Sequence, residues 1–165
     1  MIGEEQLFAA FRKSDWVGVH RVLDAWGESQ SGDRRRIAHW RTNALIGEGR
    51  YQDAIDFLRA HKSDYNCKSL ACTRIAEALH FLGRDREAIE ELKGAPMDLE
   101  RSTFPGLVID AKYVLAYLET LNGLKVENSL LDDIPSTYVH LTSSGERFSK
   151  MDLLEMISRQ SDFRR

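Results

Sequence analysis

The sequence predicts a mainly α protein: an antiparallel helix-hairpin solenoid with a short extended segment and a C-terminal capping helix. Three observations predict it. Leu45, Gly49, Ala54, Ile55 and Leu58 recur as Leu79, Gly83, Ala88, Ile89 and Leu92, each 34 positions on, a period that belongs to stacked helix–turn–helix units. Apolar residues on either side of this echo keep helical spacing, with Gly, Pro, Ser and Asp between the runs. Residues 134–142 differ: Thr, Tyr and Val nearly alternate there, in the manner of a strand or an extended strap.

Each element follows from local chemistry. Glu4 to Arg12 carries Leu7, Phe8 and Phe11 on one helical face, and Ser14–Asp15 breaks it. Trp16 to Trp26 sets Trp16, Val19, Val22, Leu23 and Trp26 at helical spacing, and residues 27–33 form a loop containing Gly27, Ser29, Ser31 and Gly32. Asp33 caps a helix from Arg34 to Gly47, whose apolar stripe is Ile37, Trp40, Ala44 and Leu45. Gly49 supplies the positive φ that a helix stop prefers, and Tyr51 to His61 is the paired helix. The second unit copies the first: Ser69 to Leu82, a turn at Gly83, then Asp85 to Lys93, stopped by Gly94–Ala95–Pro96.

Beyond Pro96 the register slips. Leu99 to Thr103 is a connector, and Pro105 opens a helix from Gly106 to Leu121. Lys125 to Asp132 is a short partner helix lacking the small–apolar pair, so this third repeat is degenerate. Ser143–Ser144–Gly145 is a turn, and Ser149 with Asp152 resembles a capping box. It opens a helix from Met151 to Arg159 with Met151, Leu154 and Ile157 apolar, and Leu153 a further candidate; residues 161–165 fray. The expected organisation is a repeat region over 1–133, best in 36–95, followed by a strap and capping helix over 134–165.

Composition narrows the function. With 165 residues, 42% hydrophobic and 30% charged, the chain suits one globular domain with a buried core. A net charge of −3 gives no general electrostatic reason to bind nucleic acid or an anionic membrane. The run Arg34–Arg35–Arg36 follows Asp33 and reads as a solvated helix start rather than a phosphate site. Cys67 and Cys72 are too few for a disulfide framework. With no targeting core in the acidic start, reduced thiols in the cytoplasm are expected, with a secreted disulfide as the alternative. No apolar run approaches the roughly 20 residues that span a bilayer.

The two central units resemble tetratricopeptide repeats. The resemblance rests on the period, the glycine turns at Gly49 and Gly83, Tyr51 after the first turn, Ala54 and Ala88 near the start of the second helices, Ala76 as the small residue of a first helix, and Pro96 at the end. Asp85 replaces the aromatic, Thr42 stands where Gly or Ala is usual, and Arg41 where Leu is usual. Trp16 to Trp26 looks like an earlier second helix, offset by one residue. In that geometry the first helices line a concave groove. Its facing residues would be Arg36, His39, Asn43 and Ile46 in one unit and Leu70, Thr73, Glu77, His80 and Phe81 in the next. Asp110, Tyr113 and Tyr117 would join them. Asn43 fits one place of the family's carboxylate clamp, but His39 replaces a Lys and the other basic positions do not match.

The expected function is a non-catalytic protein-binding module, dedicated to one partner as an immunity-type inhibitor or chaperone. The partner would be a protein, one option being a basic toxin or effector. A peptide-sensing regulatory adaptor is the alternative. An enzyme using Tyr138, His140 and Ser144 is a third reading, since Tyr138 and His140 would share a strand face. His20, His39, His61, His80 and His140 are scattered without zinc-type spacing, so no metal is expected, and no cofactor motif is present. Trp16, Trp26 and Trp40 suit core better than interface. A homodimer through an uncapped solenoid end would use Leu7, Phe8 and Phe11.

Overall fold

A computed structural model describes residues 2–28, 33–141 and 147–163. It is mainly helical, with ten α-helices and one two-stranded sheet among the described residues. By internal contacts the chain forms two compact units, Met1–Asn66 and Cys67–Arg165. The first contains α1 (Ile2–Arg12), α2 (Trp16–Glu28), α3 (Arg34–Gly47), α4 (Tyr51–Ala60) and a 3-10 turn at Lys62–Asp64. The second contains α5 (Lys68–Phe81), α6 (Asp85–Lys93), α7 (Met97–Glu100), α8 (Pro105–Leu121), α9 (Asn128–Asp132), β1 (Val139–Leu141), β2 (Arg147–Ser149) and α10 (Lys150–Phe163). The expected strap and capping helix, 134–165, fall within the second unit.

One turn geometry recurs through both units. Arg50 N–H donates to Leu45 O at 2.9 Å and Gly49 N–H to Ile46 O at 3.0 Å. Arg84 and Gly83 bond Leu79 and His80 in the same way, at 2.9 and 2.8 Å. Leu124 and Gly123 repeat it on Glu119 and Thr120, at 2.8 and 3.0 Å. Each glycine has positive φ, which lets the chain reverse while satisfying the last helical carbonyls. The fourth copy was not legible as such. Asp15 and Ser14 bond Ala10 and Phe11 at 2.9 and 3.0 Å, and Ser14 takes φ 53° where the other copies have glycine. Aligned on this turn, Leu23, Leu58 and Leu92 are equivalent, and all three are fully buried. The one-residue offset of the earlier second helix is therefore a matter of turn spacing.

The first unit buries Leu7, Ala10, Val19, Leu23 and Ala44, with Phe11, Trp16, Val22, Trp26 and Trp40 packed around them. A second cluster joins Leu45, Ile46 and Ala54 to Tyr51 and Phe57. Of the expected dimer face, Leu7 is fully buried, Phe11 packs on Trp16, and Phe8 keeps 45% of its surface. Thr42 fits its small-residue position by bonding inward. Its hydroxyl donates to Ala38 O at 3.0 Å and lies 2.9 Å from the Tyr65 hydroxyl, so no buried polar atom is stranded.

In the second unit α5 packs on α6 and α8, and α10 lies on α8. Its outer core gathers Tyr113, Ala116, Val126, Ile134 and Leu153, with Tyr117, Tyr138, Phe148 and Ile157 against them. Five expectations are corrected here. The connector at Leu99–Thr103 contains part of a helix, α7, which starts right after Pro96. The short partner helix is shorter than expected, five residues from Asn128. The strand signal over 134–142 yields pairing over Val139–Leu141, antiparallel to Arg147–Ser149. The apolar face of α10 is turned: Leu153 is fully buried, whereas Met151 is 66% exposed and Leu154 is exposed, because the helix lies on α8 through Leu153 and Ile157. The capping box is present: Ser149 N–H donates to Asp152 at 2.7 Å and Asp152 N–H to the Ser149 hydroxyl at 3.2 Å. The helix continues to Phe163, past the expected fraying point at Ser161. The loop residues Ser29, Ser31 and Gly32, the turn Ser143–Ser144–Gly145, and Arg164 and Arg165 lie outside the described residues.

Candidate functional site

Four of the groove candidates belong to the first unit. Arg36 is exposed and ion-paired with Glu4. His39 and Asn43 sit one turn apart on α3, half-buried, and the Asn43 amide donates to His39 Nε2 at 3.2 Å. Ile46 is buried against Leu45 and Ala54.

The remaining candidates belong to the second unit, on α5 and α8. Thr73 is buried and its hydroxyl donates to Ser69 O at 2.8 Å. Glu77 is buried, held by Arg74 Nη1 at 2.8 Å. His80 Nδ1 lies 2.7 Å from Asp85 Oδ1, and Phe81 beside it is 42% exposed. Tyr113 is buried, and Tyr117 is half-buried between His80 and Phe148, with ring centroids 6.3 and 5.7 Å away. Ile46, Thr73, Glu77 and Tyr113 thus offer no surface to a partner as the fold stands.

The α5/α8 face is covered by the chain's own extended segment. Asp110 Oδ1 accepts two hydrogen bonds, one from the Tyr138 hydroxyl and one from His140 Nδ1 at 2.7 Å. His140 Nε2 faces Glu77 Oε1 at 3.8 Å. The imidazole stacks on Tyr113, with centroids 5.3 Å apart and planes at 20°. Tyr113 donates its hydroxyl to Ser149 O at 3.0 Å. Burial opposes charge on Asp110, yet the bonds from His140 and Tyr138 outweigh it and hold its carboxyl below the usual range. Burial, with Asp110 adding to it, pushes the Tyr138 phenol up and keeps it a donor. Both imidazole nitrogens face carboxylates, and Asp110 ties Tyr138 and His140 of the extended segment to α8. Ser144, the third residue of the enzyme reading, lies outside the described residues.

A second polar site closes the start of α5. Glu100, from α7, accepts from Lys68 N–H at 2.6 Å and Ser69 N–H at 2.8 Å, satisfying amides that open the helix. Burial opposes its charge, but these bonds win and the carboxyl is held low. The Cys67 thiol donates to the same carboxylate at 3.3 Å, and burial pushes that thiol up to about 11. Cys67 and Cys72 are both buried. An open cleft of about 740 Å³ lies along α6, α8 and α9. Two ion pairs line it: Lys93 with Glu119 at 3.1 Å, and Lys112 with Asp133.

Among the described residues, no group of His, Cys, Asp and Glu is placed to hold a metal ion, and no helix is long and apolar enough to cross a membrane. No protein-family model, curated protein or solved structure matches the chain.

The sequence points to Glu77, Asp110 and Tyr113 as groove residues and to Tyr138 and His140 as a pair on one strand face. The fold brings all five together. The signal that could have joined them was the spacing Tyr138–x–His140 in a strand, two donors on one face, which needs acceptors on whatever face it covers. Glu100 was missed altogether, because a capping residue 32 positions from its helix leaves no local pattern.

Proposed function

We propose that this chain is a non-catalytic protein-binding module of tetratricopeptide-like helical hairpins, holding one dedicated protein partner as an immunity-type inhibitor or chaperone does. One observation carries the reading. Around the recurring turn, the positions flanking the positive-φ residue are polar or small in the first unit: Arg12, Lys13 and Asp15, then Gly47, Glu48 and Arg50. In the second unit four of the six equivalent positions hold Phe81, Leu82, Leu121 and Leu124, which are 42%, 40%, 43% and 46% exposed; the other two are Arg84 and Asn122. A bond from Asn122 Nδ2 to Asp85 Oδ2 at 3.0 Å ties the two turns together. Exposed apolar side chains gathered at the turns of the second unit are stabilised by covering them, at about 25 cal/mol per Å². A net charge of −3 suits a basic partner.

Affinity capture from the native host lysate tests this. One stoichiometric partner that survives high salt, and that is lost with Phe81→Glu/Leu124→Glu, is the expected result. Many weak partners, or capture unchanged by that variant, would count against it. A peptide-sensing adaptor is the second reading, favoured by the extended chain already lying on α5 and α8. It expects micromolar peptide binding that His80→Ala weakens.

A further inference from the structure

We infer that the α5/α8 face is a peptide-binding face occupied in cis by Tyr138–Leu141. From a partner it takes an extended segment with an aromatic hydroxyl and, two residues on, an imidazole or cationic donor. The occupant shows the recognition chemistry. Tyr138 and His140 turn inward and both reach Asp110 Oδ1, while Val139 and Leu141 turn outward and are 49% and 59% exposed. That alternation is how an extended ligand uses a surface: every second side chain is read and the others stay in water. The receiving side chains are braced by the helices themselves. Arg74 fixes Glu77 at 2.8 Å, and Tyr113 is fully walled in and stacks on the inserted imidazole.

The segment is attached so that it can lift. Ile134 before it and Leu153 after it are buried in the α8 core, at 1% and 0% exposure, and they tether both ends. Between these anchors the sheet pairs three residues with three and, among the described residues, joins no other strand. The ties from the segment to the helices include the Asp110 and Glu77 contacts, the rings of Tyr138 and His140 on Tyr113, and, from β2, the Tyr113–Ser149 bond and Phe148 against Tyr117. A competing segment with the same two donors replaces the Asp110, Glu77 and Tyr113 ring contacts, and exchange then costs the main-chain pairs of the small sheet and any β2 contacts that open with them.

Two measurements on the full chain test this, and neither depends on the apolar turn edge. Amide hydrogen exchange should show 138–141 and 147–149 opening well before α5 and α8; exchange of these amides only together with α8 would overturn the proposal. A fluorescein-labelled peptide spanning Pro135–Leu141 is the probe for the second. His140→Ala, which weakens the cis occupant, should bind it about tenfold more tightly than the unmodified chain, because apparent affinity follows the fraction of open face. Asp110→Asn should abolish that gain. Folded His140→Ala, judged by circular dichroism and melting, that binds the peptide no better than the unmodified chain would sink the idea; if that variant fails to fold, the exchange pattern decides. Phe81→Glu/Leu124→Glu should leave peptide binding intact, which separates this result from failure of the partner reading.

Discussion

Gly47 shows how one side chain sets what another position can be. A Cβ there would lie 2.9 and 3.0 Å from Trp16 Cζ2 and Cζ3, and Trp16 is held by an edge contact with Phe11, centroids 5.4 Å apart. Gly→Ala inside a helix ordinarily gains about 1 kcal/mol. Here Gly47→Ala should instead destabilise by about 1–2 kcal/mol in urea unfolding, because the ring cannot swing away. Ser14 predicts the opposite sign. It holds φ 53° at a turn where Gly49, Gly83 and Gly123 serve the other copies. Ser14→Gly should raise stability by up to about 1 kcal/mol in the same assay, and Gly83→Ala, with open space around it, should lower it by a similar amount. The glycines were legible because a tight helix stop writes its own residue. Ser14 was not, because tertiary packing of α1 on α2 imposes the same backbone on a residue that does not advertise it.

At the scale of elements, α5 depends on a carboxylate from outside itself. Glu100→Gln keeps the shape but weakens the bonds to the Lys68 and Ser69 amides, and should cost about 1 kcal/mol, the usual value of a helix cap. The sign of its pH dependence follows. Glu100 and Asp110 are both held below the usual carboxylate range in the fold, so each contributes stability above about pH 4 that is lost as pH falls through the folded value. Acid titration followed by circular dichroism should therefore show a transition whose midpoint moves up in pH for Glu100→Gln. The spans of α1 to α6 and α8 to within a few residues, the Asp33 cap, Pro105 at the start of α8 and the Ser149–Asp152 box were legible, since each rests on bonds within a few residues. The face of α10 was not: Met151, Leu153, Leu154 and Ile157 are all apolar, and only the surface of α8 selects Leu153 and Ile157.

For the whole molecule, the two thiols report on the integrity of the second unit. Cys67 and Cys72 are buried, and burial pushes the Cys67 thiol up to about 11. Alkylation by iodoacetamide at pH 8 should be slow in the native protein and rapid once urea unfolds it; fast labelling of Cys67 without unfolding would mean that the Glu100 closure opens on its own. The sequence by itself determined that this is a chain of helical hairpins, because a repeated turn and a repeated apolar stripe are local signals. It also points to Glu77, Asp110, Tyr113, Tyr138 and His140, though not to Glu100. Only the tertiary structure decided what those residues face. Asp110 and Glu77 meet His140 across 30 and more positions, and such contacts depend on how α5, α8 and the strap pack rather than on any spacing along the chain.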